Sequence, residues 1–377
     1  MPCSTLTYKA MLRDRIPRKW AILLLILLNQ FGFVYGQTVD DFRYASPLFT
    51  KIDDKGTLVG GVITSGIQAT NGMYWFGSQH GLVSFDGYQF KRYEHQTDNS
   101  NSPAANYIIA LQEDTEGNIW IATRTSGLSR YSPSEHQFTH FNTESSTITL
   151  PTNTLRTLRF DQQGYLWLGH ELGVDKIDIK AGTLTSYSFS IANSITFHIF
   201  PDVDGSIMAG TTRGVFVKKA DEDTLHVVEA LRGQNLRSIY RTKQGKYWLG
   251  TRSGLRLWDG HGKPYLVSGS GAGEMNSTYI RSIVPVGNGK LWVASYGKGL
   301  GLFDEESTQL IKQFKQDASD TSSLAFDDVG TVFLGRNGTL LIGTWGAGLQ
   351  LLNTNTSDHF VMIRHSLQHS KGLSFAN

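Results

Sequence analysis

Short apolar runs alternate with polar turns along this chain, and the alternation itself repeats. A core of the form Gly-x-apolar-Trp-apolar-small-Ser/Thr is followed by a short polar loop and then Gly-Leu or Gly-Val. It occurs seven times: Gly72 to Ser78, Gly117 to Thr123, Gly164 to His170, Gly205 to Thr211, Gly245 to Thr251, Gly289 to Ser295 and Gly338 to Thr344. The closing Gly pairs begin at Gly81, Gly127, Gly173, Gly214, Gly254, Gly299 and Gly348. Met208 and Leu341 stand where the other copies have Trp. Measured at that position, the steps are 45, 47, 41, 40, 44 and 49 residues.

Each part of the core predicts an element. The first Gly follows polar residues and suits a hairpin turn that needs positive φ. Trp and its apolar neighbours predict a strand buried on both faces. The small residue two places after Trp allows close approach of a neighbouring strand. An upstream run (Tyr107–Leu111, Leu236–Tyr240) and a downstream pair (Leu128–Tyr131, Gln137–Phe141) bring each copy to four strands. One copy cannot bury its own faces, whereas a closed ring of copies can. A period of 40 to 50 residues without helical spacing is that of a propeller blade. The expectation is an all-β chain, a seven-bladed β-propeller of four-stranded antiparallel blades, over residues 60–365.

Ahead of it, residues 37–59 read as a lead-in segment and residues 1–36 as a signal peptide. Lys9, Arg13, Arg15, Arg18 and Lys19 precede the apolar run Trp20–Leu28, and Val34-Tyr35-Gly36 offers small residues for cleavage before Gln37. Asn29 and Gln30 interrupt the run, which is short for a membrane span. An uncleaved anchor is the alternative. Export places the rest of the chain in the periplasm or another extracytoplasmic space. Residues 356–363 read as the outer strand of the seventh blade. Residues 366–377, with Gly372-Leu373-Ser374-Phe375-Ala376-Asn377, read as the start of a further blade, so the chain is expected to be part of a longer protein. The segment Leu48–Ile52 is left two roles, an outer strand of this ring or of a second one.

Composition sharpens this picture. The chain has 40 Gly, 9 Pro and 11% aromatic residues, which suits short strands and tight turns. The leader carries most of the basic excess, and the remainder holds 30 basic and 32 acidic residues. No basic stripe for nucleic acid is expected. The single cysteine, Cys3, leaves with the leader, so neither disulfides nor thiolate metal sites are expected.

The copies resemble the repeat of the two-component regulator propeller family, which reads Asp-x-x-Gly-x-Ile/Leu-Trp-Ile/Leu-Gly-Thr-x-x-Gly-Leu. Trp75-Phe76-Gly77-Ser78-Gln79-His80-Gly81-Leu82 is especially similar to the opening blade of such sensors. The turn Asp is present at Asp114, Asp161 and Asp202 and absent from the other four copies. The resemblance implies the extracytoplasmic ligand-binding sensor of a larger signalling receptor, homodimeric at full length. Its output would be a histidine kinase or diguanylate cyclase lying in a part absent here. It also implies a membrane link only through the leader or a missing C-terminal helix, and ligands that include oligosaccharides. The alternative is a secreted or periplasmic scaffold for protein–protein interaction.

The loops between second and third strands converge at one end of a propeller's channel, and loops on a rigid scaffold carry binding. The candidate ligand residues are therefore His80, Arg124, His170, Arg213, Arg252, Tyr296, Lys298 and Trp345. Arginine forks suit carboxylates or sulfates, and exposed aromatic faces suit sugar rings. A carbohydrate or anionic small ligand is expected, with no cofactor and no metal.

No enzyme site of its own is expected. Glu171 is the only acid in these loops, and a glycosidase needs two carboxylates. Asp114 and Asp161 stand three residues before Gly, out of register with the sialidase Asp-box. Asp202-Val203-Asp204-Gly205 lacks the further ligands of a calcium loop. His365 and His369 lack the Glu of a zinc-protease helix.

Overall fold

A computed structural model describes residues 49–51 and 62–353, apart from 268, 270, 321 and 337. The leader, residues 354–377 and most of the lead-in lie outside the described residues, and with them the expectations of a signal peptide and a further blade. Among the described residues no helix is long and apolar enough to cross a membrane.

The described residues form seven four-stranded antiparallel sheets, with only two short 3-10 turns besides. Each copy of the core is the second strand of one sheet. In blade III, for example, Leu155–Phe160 pairs with Leu166–His170, then Gly173–Asp178, then Thr183–Ser188. The first strands touch one another around a closed ring, blade VII against blade I. They are Ile63–Gln68, Ile108–Glu113, Leu155–Phe160, Thr196–Pro201, Leu236–Arg241, Tyr279–Gly287 and Val329–Leu334 in blades I to VII.

For residues 49–51, ring closure decides between the two roles left to the segment Leu48–Ile52. Phe49–Lys51 is the outermost strand of blade VII, antiparallel to Leu349–Asn353. The place expected for residues 356–363 is thus taken from the other end of the sequence, and 356–363 lie outside the described residues. A strand donated across the seam ties the first blade to the last.

The core lies between blades. Trp75, Trp120, Trp167, Trp248 and Trp292 are all buried, as are Met208 and Leu341 in their places. Burying such a side chain contributes about 2–3 kcal/mol, so an aliphatic residue here keeps much of the gain. The first Gly has positive φ in all seven copies, from +68° at Gly289 to +89° at Gly72. The small residue two after Trp meets the next blade: a Cβ at Gly250 would press on Ile280, and one at Gly343 on Ile63 across the seam.

The Ser or Thr that ends six of the seven cores fastens the loop that follows. Thr123 Oγ1 donates to the Gly127 carbonyl at 2.8 Å and accepts the Ser126 N–H at 3.0 Å. Thr251 does the same with Gly254 and Ser253.

Candidate functional site: an arginine-walled channel

All seven first strands share one irregularity. Their register with the second strand slips at the same place, between Leu155 and Thr157 in blade III and between Leu236 and Ser238 in blade V. The others slip equivalently. A β-bulge re-aims one side chain. Here it turns Thr64, Ile109, Arg156, Phe197, Arg237, Arg281 and Gly330 into the ring's centre. The residue before each, such as Leu155, Leu236 or Ile280, stays buried in the core.

These residues line a central cavity of about 720 Å³. Its walls carry Arg124, Arg156, Arg159, Arg237 and Arg281 and no Asp or Glu. None of the five pairs with a carboxylate among the described residues. In a body that is near neutral overall, this concentrates positive potential inside a low-dielectric ring, where it attracts anions most strongly.

Aromatic rings hold the arginines in place. The Arg237 guanidinium lies 3.3 Å from the Phe197 ring centroid and 5.4 Å from that of Tyr279. Arg281 lies 5.3 Å from Tyr279 and 5.2 Å from Trp345, and its Nη1 donates to Tyr279 Oη at 3.0 Å. Nε and Nη1 of Arg237 and Nε of Arg156 are buried without an acceptor among the described residues. Burial first, then the charges of Arg281 and Arg252, push the Arg237 guanidinium down to about 10 against an opposing pull from Tyr279. Deeper in the channel, burial and then the charge of Arg159 hold His198 down at about 3, so its imidazole is neutral at physiological pH.

Of the eight residues expected from the loops, Arg124 and Trp345 line this cavity. Their backbones dock at its rim: the Arg124 N–H donates to the Tyr107 carbonyl and the Trp345 N–H to that of Asp328. Trp345 is half-buried and packs over Gly330, where any Cβ would collide with the indole. Arg252 is tied to the Asn235 carbonyl in the same way, and its charge reaches Arg237 from the exposed rim. His80, Arg213 and Tyr296 are exposed outside the cavity. Lys298 lies 3.8 Å from Glu274, which also pairs with Lys315.

His170 is a correction. It is buried, not presented on the loop. It occupies the place of the closing Ser/Thr and takes over its task, since the Leu172 N–H donates to its Nδ1 at 3.1 Å. That leaves the proton on Nε2, which donates to Asp175 at 3.0 Å, while Ser186 donates to the same carboxylate at 2.7 Å. The residue is structural.

Residues 102–125 match the family described as two component regulator propeller. They run from the approach to blade II through Trp120 to Arg124 at the channel rim, so this one stretch matches that family's repeat. No curated protein matches the sequence. Among solved structures, the chain is similar to the extracellular domain of BT3049 from B. thetaiotaomicron, assigned as a hybrid two-component system, at 24% identity and TM-score 0.69, covering 81% of this chain and 42% of that one. It is similar to the extracellular domain of BT4673 from the same organism, assigned as a one-component system, at 21% identity and TM-score 0.66, covering 81% and 39%. It is also similar to virginiamycin B lyase from Staphylococcus aureus, at 11% identity and TM-score 0.61, covering 82% and 99%. At these identities the likeness shows a common fold. The chain spans about two fifths of each of the two extracellular domains.

Proposed function

We propose that this propeller is the extracytoplasmic ligand-binding module of a signal-transduction receptor, non-catalytic in itself, and that it takes an anionic ligand, an acidic carbohydrate fragment or a small acid, into its central channel. The observation that carries the reading is the cavity wall of five arginines without a carboxylate. Retaining uncompensated like charges inside a fold costs stability, and such clusters persist at sites that bind the opposite charge. The repeat matched at residues 102–125 and the likeness to extracellular domains of proteins assigned to signalling systems support the setting. The kinase or cyclase of such a receptor would lie outside this chain.

The lyase neighbours share the fold at 11% identity. The cavity wall has no acid to serve as a partner in paired-carboxylate catalysis, which disfavours a glycosidase. The experiment is calorimetric titration of the chain with oligogalacturonate and with neutral maltotriose at two salt concentrations. Saturable binding of the first alone, weakened by salt, is expected. Binding of maltotriose alone would overturn the anionic part of the reading, and binding of neither would remove its support.

A further inference from the structure

Three of the seven bulge positions hold arginine, but their surroundings differ. Arg156 has a buried Nε without an acceptor and no aromatic ring within stacking distance among the described residues. Arg237 and Arg281 stand on adjacent blades with one ring, Tyr279, between them. The Tyr279 hydroxyl accepts from Arg281, and Phe197 and Trp345 close the outer flanks of the two guanidiniums. Two like charges are thus held side by side with their forks only partly used. Arg237 keeps Nε and Nη1 without acceptors, and Arg252 adds a third positive charge from the rim.

We infer that Arg237 and Arg281, braced by Tyr279, form a preorganised subsite for a single oxyanion group, a carboxylate, sulfate or phosphate, carried by a ligand whose body lies against Trp345. This rests on the reading of the channel as the ligand site and names the chemistry that the site selects. Guanidinium forks bind oxygen anions bidentately, and rings that fix the forks beforehand reduce the ordering cost of binding. Trp345 marks the direction of the rest of the ligand, because it stacks on Arg281 and its edge covers Gly330 at the channel mouth.

The arrangement also makes a prediction that a purely structural role would not. Since the two charges repel and are partly desolvated, removing one while keeping its stem leaves the ligand-free fold at least as stable and weakens the anion response. The test uses the full chain, with sodium sulfate, phosphate and acetate titrated against sodium chloride at constant ionic strength and the thermal midpoint as readout. A saturable rise is expected for at least one oxyanion, and the order among the three identifies which group fits. Arg237→Met and Arg281→Met should each raise the half-saturating concentration at least tenfold without lowering the anion-free midpoint. Arg237→Lys, which keeps the charge and loses the fork, should fall in between, and Arg213→Met, exposed outside the cavity, should leave the response within twofold.

No saturable response to any of the three anions would overturn the inference, as would an undiminished response in both Met variants. A large fall in the anion-free midpoint of both Met variants would assign the pair to structure instead. If oligogalacturonate binding persists unchanged in those variants, the channel reading stands and the subsite alone is refuted.

Discussion

The indole N–H of Trp167 donates to the carboxylate of Asp161 at 2.7 Å, and the same carboxylate accepts the backbone N–H groups of Gln163 and Tyr165. Asp114 repeats this with Trp120 at 2.8 Å. The Asp and the Trp of the repeat are therefore one unit, a turn cap that also satisfies a buried donor. In blade IV, where Met208 has no indole, Asp202 turns to the next blade and binds Arg241 at 2.8 Å and Tyr247 at 2.6 Å. In blades I, V and VI, which lack the Asp, the indole nitrogens of Trp75, Trp248 and Trp292 are buried without a partner among the described residues.

Asp161→Ala should therefore destabilise the chain by about 2–3 kcal/mol, since it strands a buried indole donor and two turn amides. The converse is more specific. Thr242 holds the Asp place in blade V and makes the same turn bonds to Lys246 and Gly245. Thr242→Asp should give Trp248 its missing acceptor and stabilise by about 1 kcal/mol. Denaturant midpoints at constant slope measure both, and a neutral or destabilising Thr242→Asp would contradict the pairing rule.

The buried pair in blade III gives a second expectation. His170→Thr restores the residue of the other copies but leaves Asp175 with Ser186 as its remaining side-chain partner. A loss of about 3 kcal/mol is expected. Adding Asp175→Ser, which copies Ser129 of blade II at the equivalent register, should recover most of it. A harmless single variant would show that the pair carries no such burden.

The fold was largely legible in the sequence because the repeat encodes it locally. Gly with positive φ, a doubly buried Trp strand and a Ser/Thr loop clasp each act within one copy. The channel arginines were not legible in the same way. Arg156, Arg237 and Arg281 sit at a position held by Thr64, Ile109, Phe197 and Gly330 elsewhere, so no repeated letter marks it. The cause is the bulge, which breaks strict alternation and sends inward a residue that simple pleating assigns to the blade. The usable signal was an arginine directly after the first apolar residue of the upstream strand, as in Leu155-Arg156 and Leu236-Arg237. His170 misled for the opposite reason, since a polar letter at the loop's edge was in fact its clasp.

Acid should expose the position of His198. Its imidazole titrates near 3 in the fold against 6.5 when free, so between those values the unfolded chain binds a proton that the native chain does not. Stability from this group is full above 6.5 and is lost as pH falls toward 3. His198→Gln should flatten the stability slope between pH 6.5 and 4, measured by urea midpoints. An unchanged slope would place the imidazole in contact with bulk water.

Gly330 tests the seat of Trp345. Its φ is ordinary, so Gly330→Ala strains nothing but the indole above it. The variant should fold, displace Trp345 from Arg281 and weaken anion binding several-fold. Unchanged affinity would remove Trp345 from the site.

The central claim is that ligand enters the arginine-walled channel and not the loop surface around it. The most direct measurement compares oligogalacturonate affinity of the native chain with that of two double variants, Arg156→Gln/Arg281→Gln inside the channel and His80→Ala/Arg213→Ala on the rim. The account predicts at least a tenfold loss for the channel variant and a change within twofold for the rim variant. A rim variant that loses binding while the channel variant retains it would contradict the account.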